Sequence, residues 1–92
     1  MRCNRSGAAV GRNMDATDQS RVYSTLETTP DNRTVAWSNP NTGTEFQATP
    51  TRTFQASGQD CREYRILGEI DGRAETTVGT ACRDAQGRWS NQ

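Results

Sequence analysis

The chain reads as an α+β domain: one N-terminal helix packed on a four-stranded antiparallel meander, stapled by a single cross-strand disulfide. Three observations carry that expectation. Residues 16–27 contain neither Gly nor Pro and put Val22, Tyr23 and Leu26 on one helical face. From Arg33 onward the texture becomes Thr-rich, β-branched and alternating, cut by turn-forming clusters. Finally, Cys61 and Cys82, each followed by Arg, lie symmetrically about Asp71-Gly72.

The helix begins after Asp15, whose side chain suits an N-cap, and Asp18 favours the positive end of the helix dipole. Thr28-Thr29-Pro30-Asp31-Asn32 ends it. So short a helix is marginal alone and must dock on something. The predicted strands are Thr34–Ser38, Thr44–Gln55, Cys61–Ile70 and Arg73–Arg83. A further short piece is read at Arg88-Trp89. Pro50 requires an edge or a bulge in the second strand.

The turn at Asp71-Gly72 carries the most information. Asp-Gly between two strand-like runs signals a two-residue hairpin loop, so Ile70 faces Arg73 and the register then sets Cys61 opposite Cys82. Counting outward from the turn, the cysteines fall at a non-hydrogen-bonded pair, with Cα atoms about 4.5 Å apart, at the short end of disulfide reach. Pairing alone would also allow two reduced thiols; the register favours the bridge. A loop of about 22 residues closed in this way contributes roughly 3 kcal/mol and implies an oxidising compartment. The same register puts Tyr64, Ile66, Gly68 and Ile70 with Gly79 and Ala81 on the helix-covered face, and Leu67, Val78, Ala74 and the cystine on the other.

Composition narrows the function classes. Leu, Ile, Val and Phe number ten in 92 residues, so the core is thin and a staple is useful. Eleven Arg balance eleven carboxylates, which disfavours a charge-driven nucleic-acid binder, and no apolar run is long enough to cross a bilayer. His is absent and no C-x-x-C pair occurs, so no metal or other cofactor is expected. Glu63, Glu69 and Glu75 alternate with Arg as on a solvated strand face, and the hairpin register opposes no two of them. Catalysis is not expected.

The motifs Leu26-Glu27-Thr28-Thr29-Pro30, V-x-W-x-N-P at Val35–Pro40, Thr49-Pro50-Thr51-Arg52-Thr53-Phe54, Cys61-Arg62-Glu63-Tyr64, Gly79-Thr80-Ala81-Cys82-Arg83 and Gly87-Arg88-Trp89 occur in that order. Together they resemble the C-terminal domain of the rickettsial-type 17 kDa surface antigens, a family of Gram-negative outer-membrane lipoproteins, over roughly residues 11–89. The resemblance implies an exported protein with a lipidated N-terminal Cys, a glycine-zipper segment and then this domain, with no established catalytic residues. Residues 1–14 are read as a flexible leader, Gly7–Gly11 resembling the last turn of that zipper, and residues 15–92 as the single domain. No lipobox precedes Cys3, so lipidation is not assigned there, and the polar Ser90-Asn91-Gln92, where the family tends to add apolar residues, is expected to weaken a last strand. No signal-peptide-like apolar stretch follows Met1, and membrane association is expected only through a missing N-terminal segment.

The expected role is non-catalytic, structural or protein-interacting, in the cell envelope at the outer membrane or periplasm. Its partners would be envelope proteins or cell-wall components. The alternative is a secreted or periplasmic inhibitor or ligand-binding module, favoured if the Trp37–Gly43 loop is exposed and rigid. Beside the disulfide cysteines Cys61 and Cys82, the candidate interaction residues are Trp37, Asn39, Pro40, Arg62 and Arg83.

Overall fold

The computed structural model describes residues 14–92. The leader motif Gly7–Gly11 and Cys3 lie outside the described residues. Helix α1 spans Ala16–Thr28, and five strands follow: β1 Val35–Ser38, β2 Glu45–Ala56, β3 Gln59–Ile70, β4 Arg73–Arg83 and β5 Trp89–Asn91. The sheet order is β1-β2-β3-β4-β5, every pair antiparallel. The α+β class and the meander therefore stand, but with five strands rather than four. The polar tail does not weaken β5, because its pairing with Ala81–Arg83 is made by backbone groups and asks nothing apolar of Ser90 or Asn91.

Local chemistry explains each element. Asp15 caps α1 by accepting from the N–H groups of Thr17 and Asp18, while the Asp18 carboxylate accepts from the Asp15 N–H, closing a reciprocal box. Pro50 is accommodated by a register shift between Pro50 and Arg52, the bulge that a proline inside a strand demands. At Asp71-Gly72 both residues take positive φ, 53° and 77°, as a two-residue hairpin of matching twist requires. The β3–β4 register follows, from Ile70 opposite Arg73 to Cys61 opposite Cys82. The disulfide is formed, with Cα atoms 4.0 Å apart.

The core lies between α1 and one sheet face: Val22 and Leu26 pack with Trp37, Phe46, Ala48, Tyr64, Ile66, Ile70 and Ala81. The cystine sits on the opposite face, Cys61 paired across strands with Phe54 and Cys82 with Ser90. Gly79 exists for Tyr64. A Cβ there would meet the Tyr64 hydroxyl at 2.7 Å and Cζ at 2.8 Å. Tyr64 cannot easily yield, since its ring is buried and its hydroxyl donates to Asn91 Oδ1 at 2.7 Å. Gly79→Ala is expected to destabilise by about 1–3 kcal/mol, the usual cost of overpacking. Urea unfolding measures it; a change inside about 0.5 kcal/mol would mean that the Tyr64 ring is not held where it is described.

Candidate functional site

Four of the five candidate interaction residues converge on the seam between α1 and the sheet, at its two ends. At the N-terminal end the centre is Asp18, fully buried at 0% exposure. Its Oδ1 accepts from Trp37 Nε1 at 2.9 Å, and its Oδ2 accepts from Asn39 Nδ2 at 2.7 Å and from the Asp15 N–H. Asn39 in turn shapes the β1–β2 loop: its Oδ1 accepts from the N–H groups of Asn41 and Thr42, and its own N–H donates to Thr44 O. Asn39, followed by the backbone N–H of Asp18, holds the Asp15 carboxyl below its ordinary range. Trp37 and Asn39 are thus buried, and Pro40 is the exposed member of this corner. A buried carboxylate surrounded by three N–H donors is satisfied rather than orphaned, and among the described residues no buried side-chain polar atom lacks a partner.

At the C-terminal end Arg62 takes over. Its side chain is 10% exposed, and each edge of the guanidinium is used. Nη1 donates to the Leu26 carbonyl at 2.6 Å, Nη2 to Asp31 Oδ1 at 2.7 Å and Nε to Thr53 Oγ1 at 3.0 Å. Leu26 O belongs to the last turn of α1, whose carbonyls have no partner within the helix, so a cation there satisfies both the acceptor and the helix dipole. Beside it, Arg83 Nη1 donates to both Glu27 carboxylate oxygens at 2.9 and 2.8 Å, and Trp89 Nε1 donates to Glu27 Oε1 at 2.9 Å. The Arg83 guanidinium also lies 5.4 Å from the centre of the Trp89 ring. Trp89 and then Arg83 hold Glu27 below the usual carboxylate range; Arg62 and then Thr53 do the same for Asp31. Because folding lowers both values, their contribution to stability is present above the ordinary carboxylate range and is lost on acidification through the lowered ones.

These groups are spent on holding the helix. Burial pushes the Tyr64 phenol up to about 12, aided by nearby Tyr23, so it stays protonated and donates to Asn91. Among the described residues no group of three or more His, Cys, Asp or Glu could hold a metal ion. Asp18, Asp31 and Glu27 complete the seam, and the sequence reading did not single them out as site residues. Asp18 had a legible signal, since it shares the helical stripe of Val22 and Leu26 at i, i+4, i+8. Asp31 and Glu27 had none, because their partners lie on strands 22 to 62 residues away.

The chain matches the family model described as 17 kDa outer membrane surface antigen over residues 24–90. It is 40% identical to the 17 kDa surface antigen of Rickettsia prowazekii (strain Madrid E) over 65 residues, covering 70% of this chain and 41% of the relative. Identity to that of Rickettsia rickettsii is 42%, with the same coverage. Against the 17 kDa surface antigen of Rickettsia bellii it is 34% over 85 residues, 87% of this chain and 54% of the relative. The chain thus spans about half the length of the curated relatives it matches. No solved structure matches it significantly. With one helix pinned at both ends to a disulfide-bonded antiparallel sheet, and the family model covering most of that unit, the chain belongs to the 17 kDa outer membrane surface antigen family.

Proposed function

We propose that this chain is the non-catalytic globular head of an exported envelope antigen, acting through structure and protein contacts at the outer membrane or on its periplasmic side. The observation that carries the reading is the Cys61–Cys82 bridge between two interior strands. Such a bridge forms and persists in oxidising compartments and is rare in reducing ones. The names of the relatives agree with an envelope location. The fate of the polar groups supports a role without chemistry: Asp18, Asp31, Glu27, Arg62 and Arg83 are hydrogen-bonded across the helix seam. Burial of Trp37 and Asn39 supports a structural head over a loop-presenting inhibitor, whose anchor residues would face solvent.

The test is a thiol assay on the full-length gene product in a Gram-negative host, after cell fractionation. The protein is expected in the envelope fraction, with Cys61 and Cys82 blocked to alkylation until a reductant is added. Both thiols free, in protein recovered from the cytosol, would overturn the proposal.

A further inference from the structure

The helix crosses the sheet diagonally. Its first turn is fastened to β1 through Trp37, and its last to the β4–β5 corner through Arg83 and Trp89. One corner of the sheet is left open, the first half of β4. Among the described residues β5 covers only Ala81–Arg83, and the Gln92 N–H takes the Thr80 carbonyl, so Arg73–Gly79 has a free edge. In a two-residue hairpin the pair flanking the loop exchanges both hydrogen bonds. Ile70 and Arg73 are that pair, so alternation turns the N–H and C=O of Ala74, Thr76 and Val78 outward. The Gln92 bond to Thr80 follows the same alternation.

Native edges are usually blunted by Pro, bulges or charge. The open half of β2 is guarded in this way, with a bulge at Pro50 and with Asn32 and Asp31 bonded to Pro50 O and Thr53. The free half of β4 has neither a Pro nor a bulge, its only charges being Arg73 and Glu75, and Val78 is the exposed large hydrophobic of the described residues, at 67%. On the inner face, between this edge and α1, lies a solvent-open cleft of about 160 Å³, with Met14, Val22 and Ile66 on its apolar side and Gln19, Thr77 and Asn91 on its polar side. Glu75, two residues before Thr77 on the same face, has no ion-pair partner among the described residues.

We propose that β4 and this cleft form a docking site for an extended segment of a partner protein, which adds as a sixth strand antiparallel to β4. Its hydrogen bonds go to Ala74, Thr76 and Val78. The residue opposite Thr77 is aliphatic and fills the cleft; two residues later a basic residue opposes Glu75. The motif is therefore aliphatic-x-Arg/Lys within a β-prone run. In the register that uses all three outward residues, charge argues against a second copy of the chain. Two β4 strands paired about Thr76 would bring their Glu75 side chains to diagonal positions on one face, where like charges repel.

The site rests on the interaction role proposed above, and the two fail separately: the thiol assay reports on compartment, the following titration on docking. Labelled protein is titrated with acetylated, amidated Thr-Val-Leu-Thr-Arg-Thr and followed by amide NMR. The expected result is saturable shifts centred on Ala74, Thr76 and Val78, with new exchange protection at their N–H groups. Thr76→Pro removes an outward donor without removing a β3–β4 bond, so it should abolish binding while the remaining spectrum stays native. Glu75→Arg should weaken binding roughly fivefold, the scale of one exposed ion pair, and replacing Arg by Glu in the peptide should restore it. Absence of shifts at millimolar peptide, or shifts that persist in Thr76→Pro, would overturn the assignment. So would the same shifts in concentrated protein without peptide, which would identify a second copy as the occupant.

Discussion

Asp18→Ala should destabilise the domain by about 3–5 kcal/mol. The substitution removes a fully buried acceptor and leaves the Trp37 indole N–H and the Asn39 carboxamide without their partner. Each buried donor so orphaned costs about 1–3 kcal/mol. Loss of the Asp15 N–H bond breaks the capping box as well, for about a further 1 kcal/mol. Asp18→Asn separates shape from acceptor capacity. It keeps the volume but turns an amide N–H₂ toward donors, so it should recover little. Denaturant unfolding followed by Trp fluorescence measures the loss, and the same measurement in a Trp89→Phe background places it at Trp37, which bonds the missing carboxylate. A cost for Asp18→Ala below about 1 kcal/mol would show that water or a neighbouring group replaces the carboxylate.

Reduction of Cys61–Cys82 should lower stability by about 2–5 kcal/mol, the usual range for a small secreted domain. The bridge closes a sequence separation of 21 residues, and the thin core offers little to replace it. Since the cystine and Asp18 lie on opposite faces of the sheet and share no partner, their effects should add within about 0.5 kcal/mol. Unfolding curves for the oxidised and reduced wild type and for Asp18→Ala in both states test this. If the oxidised and reduced wild type coincide, the staple is idle and the core is stronger than its composition implies.

Much of the sheet was legible because its rules are local. A two-residue turn needs two left-handed residues, Asp-Gly supplies them, and one turn then fixes the partner of every residue on β3 and β4, the cysteines included. The helix and the bulge at Pro50 were local in the same sense. What escaped was set by tertiary contact. Trp37, Asn39, Arg62 and Arg83 were visible as unusual residues in strands and loops, but their partners are a buried Asp, a helix carbonyl and a Glu far along the chain. Burying an Asp is unfavourable until three donors surround it, and no local pattern announces those donors. The fifth strand was legible only as a short piece at Arg88-Trp89, for a related reason: β5 is held by backbone pairing and by Trp89 on Glu27, neither of which shows in its local sequence.

Strands paired only with their neighbours in the chain give this domain an order of assembly. Each ladder closes across a short connection, so its loop entropy is small, and the sheet can zip outward from its two tight turns before anything distant arrives. The contacts of α1 with β3 and β5 are the far-reaching ones, bridging 36 residues from Leu26 to Arg62 and 62 from Glu27 to Trp89. Such contacts form late and part early. The helix is therefore the element expected to dock last, and because Val22 and Leu26 supply its side of the core, the sheet is fully stabilised only once it is in place.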